Sequence, residues 1–297
     1  MWQQTLGKER QSLLGKGMQI FARKTPEKFF NYLRYEKEYR IITVENYKSI
    51  LAKVLKDLGV LYPKPKQVEE YLLKMRRKDY SPSHINNTTI IIENYLKFVG
   101  KRFKKFDRVK KSKPTIKETL TEGEVARIIA AGNNSREKAM IAILAYTGLR
   151  NGEFCNLEVK DIDFEKGLIR VINGKGGKNG ISYLAREGLQ IVSKYLAEYP
   201  RNDKNLLFTT LVRHNQYTSG DLRKRVKILA KRAKVEKRVY PHLFRHSLAT
   251  NLIKNGANII TVQNQLRHEK LDTTMLYIRS FPQRVQDEYQ YFIPRYL

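Results

Sequence analysis

From Pro26 onward the apolar residues recur with helical spacing. Phe29, Phe30 and Leu33 make one short apolar face. Tyr47, Ile50, Leu51, Val54, Leu55 and Leu58 repeat at i, i+3, i+4, which predicts a helix over 44–58, capped by Thr43 and ended by Gly59. Pro65 opens a third run with Val68, Tyr71, Leu72 and Met75. Ser81-Pro82 opens a fourth over 83–99, with Ile85, Ile92, Tyr95, Leu96 and Val99 on its apolar side. No alternating pattern interrupts these runs. Residues 25–100 therefore read as a small all-helical domain behind a polar, basic arm at 1–24.

Gly100 closes that domain. The segment 101–113 is dense in Lys and Arg, with Asp107 its lone acid and little periodicity. It reads as an interdomain linker that also crosses a phosphate backbone. A second domain, 114–297, begins with a capping box, Thr121 and Glu124, ahead of Val125, Ile128 and Ile129. A helix over 136–146 stops at Thr147-Gly148, and a short helical turn follows Arg150. The runs 168–172 and 181–184 predict two strands joined by a turn rich in glycine and asparagine. With 159–164 they would form a small antiparallel sheet. Helices resume over 186–197 and over the strongly basic 219–234. Pro241 starts another, with Leu248, Ala249, Leu252 and Ile253 as its buried face and Gly256 as its end. After Phe281-Pro282, the spacing of Val285, Tyr289 and Phe292 predicts an amphipathic tail over 283–292. That tail either folds back on its own domain or is donated to a neighbouring subunit. The fold class predicted is mainly α with a small antiparallel β-sheet.

Charge narrows the partner. The 297 residues carry 58 Lys and Arg against 29 Asp and Glu, a formal net charge of +29. An excess of this size points to a polyanion, with nucleic acid ahead of a membrane surface. No run of about 18 apolar residues exists, and no signal-peptide layout opens the chain. The single cysteine, Cys155, leaves no internal disulfide framework and no cysteine-based zinc site. The expectation is a soluble, cytoplasmic protein.

The candidate chemistry gathers in 240–278. His242 and Arg245 sit three apart and share a helix face; His268 closes the next apolar segment, and Tyr277 ends the one after. Arginine and histidine are phosphate ligands, and tyrosine can be a nucleophile. Upstream, TGLRNGE sets Arg150 just after a helix-ending glycine with Glu153 one turn on. GKGG sets Lys175 at a hairpin tip, where a long side chain can swing, and Lys178 is its rival there. One tyrosine among 18, or an isolated His-x-x-Arg, carries little information; the order and spacing carry it. His242 and His246 have a zinc-ligand spacing, but no Glu follows the first His and basic neighbours repel a cation. No metal and no other cofactor is expected. GKGG sits between strands and so is not a nucleotide-binding loop.

With these motifs in hand, TGLR-x-x-E, the GKG hairpin, H-x-x-R-H, a histidine ending a helix and a late T-T-x-x-Y, the chain resembles the tyrosine recombinases, the phage-integrase family, in the Xer-like size class. The resemblance covers nearly the whole chain. It implies a helical core-binding domain and a mixed α+β catalytic domain that together form a C-shaped clamp around DNA. It implies that Tyr277 attacks a DNA phosphate, leaving a 3′-phosphotyrosine and a free 5′-hydroxyl. Arg150 and Arg245 would hold the nonbridging oxygens, and Lys175 would protonate the departing 5′-oxygen. His242 would assist proton transfer, His268 would hydrogen-bond a phosphate oxygen, and Glu153 would orient Arg150 or a histidine from behind. The implied partner is double-stranded DNA with paired inverted-repeat sites, bound by a homotetramer or by a heterotetramer with a related recombinase, at the nucleoid. The implied activity is metal- and ATP-independent strand exchange through a Holliday junction, in chromosome dimer resolution or in integration and excision of a mobile element. Two other readings are a DNA-binding protein of this fold that has lost cleavage and a type IB topoisomerase. The intact residue set argues against the first; the length, the helical N-terminal domain and the tail argue against the second. One departure stands out: the family usually has glycine before the third-motif histidine, and here it is Arg267. That arginine would add a phosphate contact or shift the turn that holds His268.

Overall fold

The structure is a computed structural model and describes residues 24–110, 118–172, 179–200, 205–210 and 215–268. The chain divides into two compact units, Met1–Lys113 and Pro114–Leu297. The first is helical over 26–98 apart from short connections, and its described residues 101–110 are non-helical. Helix α1, Pro26–Asn31, starts at Thr25, whose hydroxyl accepts the Lys28 N–H at 3.3 Å, and a π-helical turn, Tyr32–Glu36, follows. Helix α2 spans Ile41–Leu58 and ends at Gly59 in the left-handed region. Its start differs from the expectation at Thr43. Arg40 is the N-cap, and its carbonyl accepts the N–H groups of Thr43 and Val44 at 2.9 and 3.1 Å. Ile41 and Ile42 are 63% and 76% exposed, so they lie outside the apolar periodicity and gave no sign of the first turn. Helices α3, Pro65–Arg77, and α4, Pro82–Phe98, both carry proline at their first turn, where the missing N–H costs nothing.

Helix α4 is the axis of this unit. Ile91 and Tyr95 face one cluster with Phe29, Leu33, Leu51 and Leu55. Ile85, Ile92 and Leu96 face another with Val54, Val68, Leu72 and Met75. Residues 101–110, read from the sequence as part of a basic linker, lie along this second cluster. Phe106 is buried in it, with Phe103 and Val109 against its edge. The Glu93 carboxylate accepts the Phe106 N–H at 3.1 Å and pairs with Arg108 at 2.6 Å. The Asn86 amide exchanges two 2.9 Å hydrogen bonds with the Val109 backbone.

The second unit is built around α6, Ser135–Thr147, which is buried on all sides from Ala139 to Leu144. Helix α5, Glu122–Ala130, precedes it and starts with the expected Thr121–Glu124 capping box. The short helix α7, Asn151–Cys155, follows Arg150. The sheet has three antiparallel strands in the order β1 (Ile162–Asp163), β2 (Leu168–Val171) and β3 (Gly180–Tyr183), with Ile162 opposite Ile169 and Leu168 opposite Tyr183. The first strand is shorter than the pattern over 159–164 predicts. Asp161 accepts the Glu158 N–H at 3.0 Å and winds Val159–Asp161 into a 3₁₀ turn. Helices α8, Arg186–Glu198, and α9, Ser219–Arg232, flank α6 and α7. Glu137 of α6 is buried and pairs with Arg225 and Arg232 of α9 at 2.9 and 2.8 Å.

Helix α10 is Pro241–Lys254, and α11 is Ile259–Leu266. The buried face of α10 is wider than expected. Leu243, Phe244, Arg245, Ser247, Ala249 and Ile253 are buried, while Leu248 and Leu252 are half-buried. The reason is that α10 serves two cores: Leu243 and Phe244 join the large one around α6, and Ala249 and Ile253 join a small one with Val262 and Leu266. No described helix is long and apolar enough to cross a membrane.

Truncating Phe106 removes a buried ring from the first unit. Phe106→Ala is expected to cost about 3 kcal/mol of that unit's stability, read from chemical unfolding of the full chain.

Candidate active site

The site starts from a buried cation. Arg245 is 2% exposed on α10, and burying a guanidinium is costly unless its N–H groups find acceptors. Here Nη1 donates to the Gly148 carbonyl at 2.7 Å, and Nη2 donates to the Leu266 carbonyl. Those two carbonyls stand at the C-terminal ends of α6 and α11. A helix end concentrates about half a negative charge in its unpaired carbonyls, so the cation sits where two such ends meet. Gly148 is the C-cap of α6 with φ +60°. A side chain there would also put its Cβ 2.6 Å from Leu266 Cδ2, so the crossing needs glycine on two counts.

Arg150, two residues past Gly148, is the N-cap of α7. Its backbone N–H donates to Glu153 Oε2 at 2.9 Å, and its Nη1 pairs with Glu153 Oε1 at 2.7 Å. The TGLR-x-x-E spacing is thus a capping box in which the arginine side chain is held by the residue that caps its own backbone. Arg150 Nη2 also donates to the Arg267 carbonyl at 3.3 Å. The Arg150 side chain stays partly exposed while Glu153 is nearly buried. Burial pushes the Glu153 carboxyl up, but the guanidiniums of Arg267 and Arg150 and the Arg150 N–H outweigh it, and the group is held below the usual carboxylate range.

Arg267 caps α11 in the left-handed conformation, φ 55° and ψ 49°, which costs a non-glycine residue about 1 kcal/mol or more. Its side chain turns inward. Nη2 pairs with Glu153 Oε2 at 2.8 Å, and Nη1 donates to the Gln265 carbonyl at 3.1 Å. Its third nitrogen, Nε, is buried without a hydrogen-bond partner. His268 follows directly; its N–H donates to the Gln263 carbonyl at 3.1 Å, and its own carbonyl accepts from Gln263 Nε2 at 3.2 Å. Burial, with Arg245, Arg150 and the other two histidines of the site close by, pushes the His268 imidazole down to about 3. His242 is exposed at the start of α10 and meets His246 edge-on, ring centres 4.8 Å apart.

Five of the residues read from the sequence are therefore assembled: Arg150, Glu153, His242, Arg245 and His268. Lys175, its rival Lys178 and Tyr277 lie outside the described residues, as does the tail at 283–292. Sequence reasoning missed Gln265, which is buried on α11. Its Oε1 accepts the Tyr183 N–H at 2.9 Å, and its Nε2 donates to the Tyr183 and Tyr146 carbonyls at 2.8 and 3.0 Å. Ser182 Oγ adds a bond to the Thr147 carbonyl at 2.9 Å. Together they tie β3, and so the strand leading from the Lys175 segment, to α6 and α11. The only signal was an amide placed at an apolar-periodic position.

Comparison with known proteins finds relatives along most of the chain. Residues 118–284 match the Phage integrase family, and residues 27–102 match the Phage integrase, N-terminal SAM-like domain. A tyrosine recombinase of Thermosipho africanus is 33% identical over 271 residues, covering 86% of this chain and 94% of that protein. Tyrosine recombinase XerA of Pyrococcus horikoshii is 31% identical over 259 residues, covering 85% and 88%. Among solved structures, the XerA recombinase crystal structure aligns over 94% of this chain and 100% of its own, with a TM-score of 0.53 and 26% identity. The Tn1549 transposon integrase in complex with transposon right end DNA aligns over 93% and 99%, with a TM-score of 0.66; at 19% identity this is a likeness of fold.

The depressed His268 makes stability depend on pH. The unfolded chain binds its proton near the ordinary value of 6.5, and the folded chain refuses it until about 3. The contribution is complete above pH 6.5 and is lost as pH falls from there toward 3. Denaturant melts of His268→Asn and of the unaltered protein, taken through that window, are expected to show the variant losing less stability on acidification.

Proposed function

The chain belongs to the phage integrase family, as a Xer-like tyrosine recombinase acting in DNA recombination, and on that premise we propose how its residues carry out strand exchange. Tyr277 attacks a DNA phosphate. The P–O5′ bond breaks, the enzyme is left joined to the 3′-phosphate, and a 5′-hydroxyl departs. Arg150 and Arg245 bracket the nonbridging oxygens and stabilise the charge that builds up in the pentacoordinate transition state. Lys175 supplies the proton to the leaving 5′-oxygen, and His242 assists removal of the tyrosine proton. His268, neutral at working pH, exchanges a hydrogen bond with a phosphate oxygen. The phosphotyrosine keeps the energy of the broken bond, so a 5′-hydroxyl from the partner duplex restores the backbone without ATP, and two guanidiniums do the work that a metal ion does in other phosphoryl transfers.

The observation that carries this reading is the pair of arginines. Arg245 is held through two helix ends, and Arg150 is held through Glu153 and the carbonyl of Arg267, so both forks are fixed before substrate arrives. The same reading takes the substrate as duplex DNA with paired inverted-repeat sites, joined by four subunits, all of this chain or shared with a related recombinase. It includes resolution of chromosome dimers or movement of an element; a match between the repeat protected beside its own gene and a chromosomal or an attachment site decides between them.

The test uses a nicked duplex that traps the covalent step, carrying the sequence recovered by binding selection from a randomised pool. Tyr277→Phe is expected to abolish covalent attachment and leave binding nearly intact; an adduct formed by this variant makes another tyrosine the nucleophile. Arg150→Ala and Arg245→Lys are expected to slow cleavage by about two to three orders of magnitude. Normal cleavage by either overturns the charge-clamp assignment.

A further inference from the structure

We propose that Arg267 is a positioning residue that joins three pieces of the site: the Arg150–Glu153 cap, the turn holding His268, and the foot of the strand that leads from Lys175. The proposal rests on the strand-exchange reading above and concerns how its residues are kept in register.

Arg267 occupies the left-handed region, where glycine is free and an arginine is strained, so the local backbone gives no reason for an arginine here. Its contacts do. The side chain reaches Glu153 Oε2 at 2.8 Å, while the main-chain carbonyl of the same residue accepts Arg150 Nη2 at 3.3 Å. One residue thus grips both members of the Arg150–Glu153 pair, from opposite chemical ends. Without it, Glu153 would face a single guanidinium, and the α11 turn would be tied to α7 through backbone alone. The aliphatic stem makes the third contact. Gly180, the first residue of β3, lies under it so closely that a Cβ at 180 would stand 2.7 Å from Arg267 Cδ. Residues 172–179, with Lys175 among them, join β2 to that glycine. Arg267 is therefore itself the C-cap of α11, next to His268, and touches both the Arg150 N-cap of α7 and the start of β3, the strand after Lys175. Its guanidinium is largely buried, with Nη2 on Glu153, Nη1 on the Gln265 carbonyl and Nε without a hydrogen-bond partner, which makes it a brace for the groups that meet the phosphate.

The test separates chemistry from binding. Arg267→Gly suits the left-handed backbone and so is expected to fold. Its single-turnover rate of covalent attachment at saturating protein, on the same nicked duplex, should fall by about tenfold to a hundredfold, the range expected when a site group is displaced by about an ångström. Its affinity for that duplex should change by less than about threefold, because no phosphate contact has been removed. Arg267→Lys, which keeps the charge within reach of Glu153, should recover part of the rate. Gly180→Ala should lower the rate by pushing the stem aside, and should lower it no further when Arg267 is already glycine. A normal rate in Arg267→Gly overturns the proposal. So does a loss confined to affinity, or a Gly180→Ala effect that persists in full without the arginine. If Arg150→Ala cleaves normally in the same assay, the strand-exchange reading itself has failed; if it is crippled while Arg267→Gly is normal, only the brace has failed.

Discussion

Two helix ends meet at the buried guanidinium of Arg245. The Gly148 and Leu266 oxygens receive its buried guanidinium, and each belongs to the last turn of a helix, one on α6 and one on α11. Setting a buried cation against two helix ends offsets part of its desolvation cost. It also sets the address of everything nearby. Arg150 lies two residues beyond Gly148, and His268 lies two residues beyond Leu266. A single buried ion thus fixes the distance between groups that are far apart in the chain, and a shift at either helix end would move a reacting side chain with it.

The electrostatics follow from that arrangement. Arg150, Arg245 and Arg267 bring three guanidiniums close together, and the nearly buried Glu153 is shared between two of them. Like charges held in place raise the free energy of the empty protein and lower that of the protein with an anion bound, which is the sense in which such a site is prepared for a phosphate. The neutral His268 belongs to the same balance: burial first, and then the two guanidiniums and two other histidines close by, make it refuse a further proton.

Most of the helical scaffold was legible in the sequence, because proline, capping residues and apolar periodicity mark helix ends by local chemistry. The capping box at Thr121 and the stop at Gly148 are where the pattern puts them. The five described site residues were legible from motif order. What escaped were features decided by contacts between distant segments. Ile41 and Ile42 begin α2 but face outward, so they carry no periodic signal. Phe103, Phe106 and Val109 dock a non-helical, basic stretch through side chains that no local pattern announces. Gln265 and Arg267 are polar residues whose partners lie across the unit, at Tyr183, Tyr146 and Glu153. The sequence shows that they are unusual for their positions; only the fold shows what they hold.

Gln265 has one more consequence. Its side-chain amide takes both the N–H and the carbonyl of Tyr183, the groups that β3 turns away from β2. An open strand edge is a template for another strand, from the same chain or a different one. Here a side chain plays the part of that strand at Tyr183, and the outer edge of β3 is closed there. Among the described residues the small sheet stops at three strands, and at Tyr183 its outer edge offers no template to a second copy of the chain.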